Sequence, residues 1–197
     1  MIKNFYIVGA GGYGQQLQIF LKKNKFVNSV KFIDDKLTLN IDKFAKIKIK
    51  KKIHYNIAIS NPSIRENIYQ AYAKKNFIYK TFIFPNKNIY SNKIGDGCIV
   101  EPNTLIANNV IIGVGNYIFF GTSIAHNVKI GNFCNFGCYV VISGNAKIGN
   151  KVIIGAHTFI SNNVSICDNV TITPGSIIMK SIKKPGIYHN NLVIKSI

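Results

Sequence analysis

The sequence predicts an α/β unit of roughly 80 residues followed by a parallel β-helix of about five coils. Three observations predict it. A glycine-rich turn near the N-terminus joins an apolar segment to a helical one. From residue 94 onward an apolar residue recurs at every sixth position without a slip. Between the two, Pro85 marks a junction.

The elements follow in order. Residues 3 to 8 (KNFYIV) read as a buried strand that runs into Gly9-Ala10-Gly11-Gly12-Tyr13-Gly14, a G-x-G-x-x-G pattern. A helical stretch from Gln15 to Lys23 comes next, then a strand from Val30 to Ile33 that ends in Asp34-Asp35. This is the strand-turn-helix-strand context of a Rossmann-like phosphate-binding turn, whose backbone N–H groups and helix N-terminus face a phosphate. An acid about 20 residues beyond the motif suits a ribose hydroxyl. The run Lys43 to Lys52 (KFAKIKIKKK) reads as a solvated edge strand or loop. A third strand is expected over Asn56 to Ile59. Ser60 or Asn61 then caps a helix that starts at Pro62 and runs to about Lys75. Phe77 to Phe84 reads as a further strand. Only half of a two-lobed dinucleotide fold fits in this length, which favours a nucleotide-diphosphate group over NAD.

The six-residue series is Ile94, Val100, Ile106, Ile112, Ile118, Ile124, Ile130, Phe136, Ile142, Ile148, Ile154, Ile160, Ile166, Ile172 and Ile178. Neither a strand period nor a helical period accounts for it. Hexapeptide periodicity marks a parallel β-helix, in which three hexads of 18 residues make one triangular coil. The apolar residue points inward. A small or β-branched residue two positions earlier, such as Thr122, Val140 or Ala146, fits the corner. Asn and Gly at the bends (Asn108-Asn109, Gly131-Asn132, Gly149-Asn150, Asn162-Asn163) suit positive φ.

Composition sets the outer limits. With 47% hydrophobic and 16% charged residues among 197, the chain is not of the disordered class. No run of about 18 apolar residues is present, so no membrane insertion is expected. The N-terminus lacks a signal-peptide pattern, and cysteines 98, 134, 138 and 167 lack metal-ligand spacing, so a reduced cytoplasmic protein is expected. The net charge of +18 comes from 25 Lys+Arg against 7 Asp+Glu, and Arg65 is the sole arginine. Two readings stay open: an anion-attracting surface, or the compositional drift of an AT-rich genome. Nucleic acid is not an expected partner, because its recognition leans on arginine forks and interleaved aromatics.

A Rossmann-like half carrying GAGGYG and FIDD ahead of a hexapeptide β-helix resembles the sialic acid O-acetyltransferase / nucleotide-amino-sugar N-acetyltransferase family of hexapeptide-repeat acyltransferases. The resemblance spans essentially the whole chain. It implies a left-handed β-helix, a homotrimer with active sites between neighbours, and acetyl-CoA as co-substrate. It divides the chain into a sugar-nucleotide-binding domain, 1–84, and an acyltransferase domain, 85–197, with a short C-terminal extension.

The resemblance also assigns residues. His126, just before the Lys129-Ile130-Gly131-Asn132 hexad, stands where the family has its catalytic base. A histidine is suited to accept a proton near neutral pH as an amine attacks a thioester. Gly144, one coil on, offers a backbone N–H to the oxyanion. The nucleotide of the sugar is expected on Gly11, Gly12 and Tyr13, with Asp34, Asp35 and Ser60 nearby. Acetyl-CoA is expected near Asn135, Gly144, Ala156 and Ser165. Three departures stand out. Asn127 occupies the position where the family has Glu or Asp, and Asn135 occupies that of a second histidine. Gly186-Ile187-Tyr188-His189-Asn190-Asn191 replaces the family's C-terminal loop.

These departures keep other readings open. They are O-acetylation of a sialic-acid-like sugar and a sugar-nucleotide-binding homologue impaired in catalysis. A zinc hydratase needs three converging histidines. The repeats hold only His126 and His157, so no metal is expected, and His157 reads as surface decoration.

Overall fold

The computed structural model describes residues 2–37, 40–46, 52–73, 76–85 and 88–196, and the chain divides into two units, 1–80 and 81–197. The first unit contains β1 (Ile2–Val8), α1 (Gly12–Lys23), β2 (Val27–Ile33), α2 (Ile41–Lys46), β3 (Ile53–Ile57), α3 (Pro62–Tyr72) and β4 (Phe77–Tyr79). Its four strands are parallel, in the order β2-β1-β3-β4. The chain order therefore reverses between β1 and β3. In open parallel sheets ligands bind beyond the carboxyl ends of the strands at such a point. The glycine turn leaves β1 there, and the segment carrying Ser60 leaves β3 there.

Helix α1 buries Gly14, Leu17 and Leu21, a three-to-four spacing that makes one apolar stripe. It starts three residues before the expected Gln15, because Gly11 is its extended N-cap and the glycine motif supplies the first turn. Helix α3 opens as its sequence dictates: Pro62 sits in the first turn, and Asn61 Oδ1 accepts the N–H of Ile64 at 3.1 Å. It ends at Tyr72, and the expected continuation to Lys75 lies partly outside the described residues. Strand β3 is Ile53–Ile57 rather than 56–59, set by its pairing with β1 and β4.

Two expectations are corrected in this unit. The lysine-rich run is not a solvated strand over its described part. Residues 43–46 lie in α2, and Phe44 is buried against Tyr6, Phe77 and Tyr72 at ring distances of 4.9, 5.2 and 5.7 Å. A helical turn puts Phe44 inward while Lys43 stays exposed; positions 47–51 lie outside the described residues. Nor is Phe77–Phe84 one strand. Phe77–Tyr79 pairs with β3, whereas Phe82–Ile83 pairs with Ile99–Val100 of the second unit. The backbone changes sheets between them: the N–H of Lys80 reaches Tyr55 O, and that of Phe82 reaches Cys98 O. The division thus falls at 80/81 rather than 84/85.

The second unit is a parallel β-helix. Its two-residue strands pair across 18-residue steps, as Ser123–Ile124 pairs with Leu105–Ile106 below and Val141–Ile142 above. Three sheets form three faces. The first runs through Ile99–Val100, Tyr117–Ile118, Asn135–Phe136 and Ile153–Ile154. The second runs from Leu105–Ile106 to Ile177–Ile178, and the third from Ile111–Ile112 to Ser165–Ile166. Every member of the six-residue series from Val100 to Ile178 is buried, as are the small corner residues from Thr104 to Val170.

The left-handed corner residue is always the third after the inward one: Asn109, Asn127, Asn145 and Asn163 at one corner, Phe133 and Lys151 at another. At this second corner positive φ was expected at Gly131-Asn132 and Gly149-Asn150, and those residues do different work. A Cβ on Gly131 would sit 2.7 Å from the Gly149 backbone, so closeness of coils requires that glycine. Asn132 and Asn150 turn their carboxamide oxygens to N–H groups of the preceding coil, Val114 and Asn132, each at 2.8 Å. Gly186–His189 and Leu192–Ser196 form an antiparallel hairpin that extends the first face. In its turn, Asn190 and Asn191 accept the N–H groups of Ile177 and Met179 in the last coil, at 2.8 and 2.9 Å.

Candidate active site

His126 projects from the corner that follows Ile124 and is exposed. Backbone hydrogen bonds fix this corner in the stack: Asn127 N–H to Asn108 O below, and Asn145 N–H to His126 O above. One coil on, Gly144 forms the floor under the imidazole. A Cβ there would sit 2.7 Å from His126 Cε1 and 2.8 Å from Nε2, so any other residue would displace the ring from this position. Gly144 is buried, and its N–H meets no acceptor among the described residues. That leaves a backbone donor beside an imidazole, the pairing that acyl transfer uses for oxyanion and proton. Asn127 Nδ2 lies 3.1 Å from His126 Nδ1.

The residues expected at acetyl-CoA are not gathered on one surface of a single chain. Asn135 is a strand residue of the first face, and Ala156 sits at the corner after it, backing onto Gly137. Gly144 belongs to the next corner. Ser165 belongs to the third face, in a groove of about 760 Å³ whose lining includes Lys147, Asp168 and Lys183. In this groove Ser165 N–H donates to Ser181 Oγ at 2.9 Å. Hydrogen bonds from the Asn150 side chain and backbone hold the Asp168 carboxyl below its ordinary range. Burial pushes the Cys167 thiol upward. His157, expected as surface decoration, is exposed and stacks on Tyr139, ring centroids 5.2 Å apart.

The four glycines of the turn separate into two duties. Gly9 takes φ +103°, and a Cβ on Gly14 would run into the Gly9 carbonyl oxygen, so both are required by the turn and by helix–strand closeness. Gly11 and Gly12 are exposed, and a Cβ on either would meet nothing within 4 Å. That space is open to a ligand. Tyr13 is half-buried in the first turn of α1. Asp34 was expected to reach a ribose or base; in the structure each of its carboxylate oxygens accepts one N–H of the turn. Oδ2 accepts the Ala10 N–H at 2.8 Å and Oδ1 accepts the Lys36 N–H at 3.1 Å. These bonds, Ala10's first, lower its pKa. Asp35 and Ser60 are exposed at the neighbouring strand ends.

Sequence reasoning missed two features. Arg65 is fully buried, and its Nη1 donates to the carbonyls of Ile59 and Ser60 at 2.8 and 3.2 Å, holding the segment that leaves β3. Its being the one arginine in a lysine-rich chain was the available signal. Asn109 and Asn145 flank Asn127 in a ladder of side-chain amides, and the 18-residue spacing of these asparagines was the signal there.

Comparison with known proteins agrees with this architecture. Residues 4–72 match the family profile of the PglD N-terminal domain. Among curated proteins no significant sequence match is found. Several solved structures share the fold over nearly the whole chain. The acetyltransferase domain of PglB from Neisseria gonorrhoeae FA1090 superposes with a TM-score of 0.87 at 18% identity, covering 98% of each chain. WeeI from Acinetobacter baumannii AYE gives 0.79 at 20% identity, covering 98% of this chain and 99% of its own. PerB from Caulobacter crescentus, solved in complex with CoA and GDP-perosamine, gives 0.78 at 16% identity and 94% coverage of both. The α/β half and the β-helix are thus found together in one known fold, as the sequence resemblance implied.

Proposed function

We propose that the protein is an acetyl-CoA-dependent N-acetyltransferase. Its substrate is a nucleotide-linked amino sugar, a UDP- or GDP-linked 4-amino-6-deoxy sugar used in surface glycan assembly. The observation that carries this reading is the imidazole of His126 lying on Gly144, a group able to carry a proton beside a backbone N–H that meets no acceptor among the described residues. The relative PerB, of the same fold, binds CoA and GDP-perosamine.

In the reaction, the diphosphate rests against the backbone of Gly11, Gly12 and Tyr13 at the start of α1, where N–H groups and the helix dipole favour an anion. Asp35 and Ser60 contact the nucleoside, and Asp34 holds the turn in shape. Acetyl-CoA lies along the β-helix near Asn135, Gly144, Ala156 and Ser165, in a groove completed by a second copy in a homotrimer. Surface lysines attract its phosphates. The sugar amine attacks the thioester carbonyl while His126 takes the amine's proton, and Gly144 N–H donates to the oxyanion. Collapse breaks the C–S bond. CoA leaves as thiolate and recovers the proton from His126, giving the amide and free CoA. The protein works in the cytoplasm, where both substrates are made.

The test is acetyl-CoA consumption with a panel of UDP- and GDP-linked amino sugars. His126→Ala is expected to lower turnover at least about a hundredfold. Near-normal turnover in that variant ends the assignment of the base. Acetylation of a free sialic-acid-like sugar in preference to the nucleotide sugars ends the substrate assignment.

A further inference from the structure

Three asparagines at the His126 corner are joined amide to amide. Asn109 Nδ2 donates to Asn127 Oδ1 at 3.2 Å, and Asn127 Nδ2 donates to Asn145 Oδ1 at 3.0 Å. All three occupy the left-handed corner position, with φ of 58°, 60° and 61°, so their side chains stack from coil to coil. Asn127 Nδ2 also lies 3.1 Å from His126 Nδ1. An amide nitrogen offers only protons. With the ladder in this direction Nδ1 is the acceptor, and a neutral ring carries its proton on Nε2, the nitrogen beside the Gly144 floor. In that tautomer Nε2 has no lone pair for an incoming proton. Asn127 cannot turn over alone, because its NH2 would then meet that of Asn109 and its oxygen that of Asn145. Reversal takes all three amides together.

We propose that the direction of the Asn109–Asn127–Asn145 ladder sets the tautomer of His126, and with it whether His126 acts as a base. The three asparagines are positioning residues. With the ladder reversed, Asn127 Oδ1 accepts from Nδ1–H, and the Nε2 lone pair is free to take the proton of the substrate amine. The ladder does the work of a carboxylate beside the histidine, but it has two directions where a carboxylate has one. This inference rests on the reading of His126 as the base.

Two isosteric substitutions of equal charge separate ladder direction from simple electrostatics. A carboxylate only accepts. In Asn145→Asp it accepts from Asn127 and locks the ladder as observed. In Asn109→Asp it draws the Asn127 NH2 the other way and locks the reverse. Asn145→Asp is expected to lower kcat at least about tenfold and Asn109→Asp to raise it about threefold or more, since a histidine held in the wrong tautomer loses its function as base. Nitrogen-15 NMR of the His126 ring in the resting protein provides a readout apart from activity. It is expected to show Nε2–H in the unmodified protein and in Asn145→Asp, and Nδ1–H in Asn109→Asp. Resting Nδ1–H in the unmodified protein, or two variants that move kcat in the same direction, overturns the ladder. Full activity of His126→Ala overturns instead the assignment of the base on which it rests.

Discussion

The β-helix and the α/β unit hold their residues in place by different means. In the β-helix each inward residue is one member of a column, as Ile106, Ile124, Ile142, Ile160 and Ile178 form the column of the second face. Position follows from counting, and each coil is held by its two neighbours. In the α/β unit the turn depends on contacts that occur once: Asp34 on Ala10, Arg65 on the carbonyls of Ile59 and Ser60, Gly14 against Gly9. A repeat gives a rigid corner on which to mount a histidine. A single turn gives a shape that one substitution can spoil.

That contrast can be tested, most severely in the columns. Ile142→Ala leaves a void between two close-packed layers and is expected to cost about 2–5 kcal/mol in urea unfolding, because a cavity adds to the lost transfer energy. A cost well under that range would mean the column collapses to fill the gap, and the counting rule would matter less than stated. Next is Gly14→Ala, which forces a Cβ into the Gly9 carbonyl and is expected to cost about 1–3 kcal/mol by overpacking. Its effect should stay local: amide exchange rises through β1 and α1 while the β-helix stays protected. Uniform loss of protection in both units would dissolve the distinction between them.

The smallest effect concerns Asp34. Backbone hydrogen bonds hold its carboxyl below the ordinary value of 3.8, so they stabilise the unit above that value and are lost as pH falls through the lower folded one. Thermal melts of the unmodified protein are expected to weaken below about pH 4. Asp34→Asn should be slightly less stable at neutral pH and lack this component of the acid loss. An unchanged acid profile would mean that the bond to Ala10 contributes nothing.

The same contrast explains what could be read in advance. The β-helix was legible residue by residue, because its signal is a period repeated through fifteen hexads. His126 and Gly144 were legible as a pair because they are 18 residues apart, one turn of that period. The α/β unit was legible in outline through the glycine motif and the Asn61-Pro62 cap, but the ends of its elements were not. Phe44 sits among lysines and is buried all the same, since burial depended on Tyr6, Tyr72 and Phe77 from elsewhere in the chain. Phe77–Phe84 has one uniform apolar character, and its split into two sheets depended on partners at Ile53–Tyr55 and Ile99–Val100.

By itself the sequence determined the three-sided column, the glycine turn and the histidine at a corner, because periods and short motifs act on neighbouring residues. Only the tertiary structure decided that Asp34 is used within the turn and that an arginine underlies Ser60. It alone decided which atom of Asn127 meets His126. Those outcomes depend on the partner and direction of single hydrogen bonds, which no repeat length encodes.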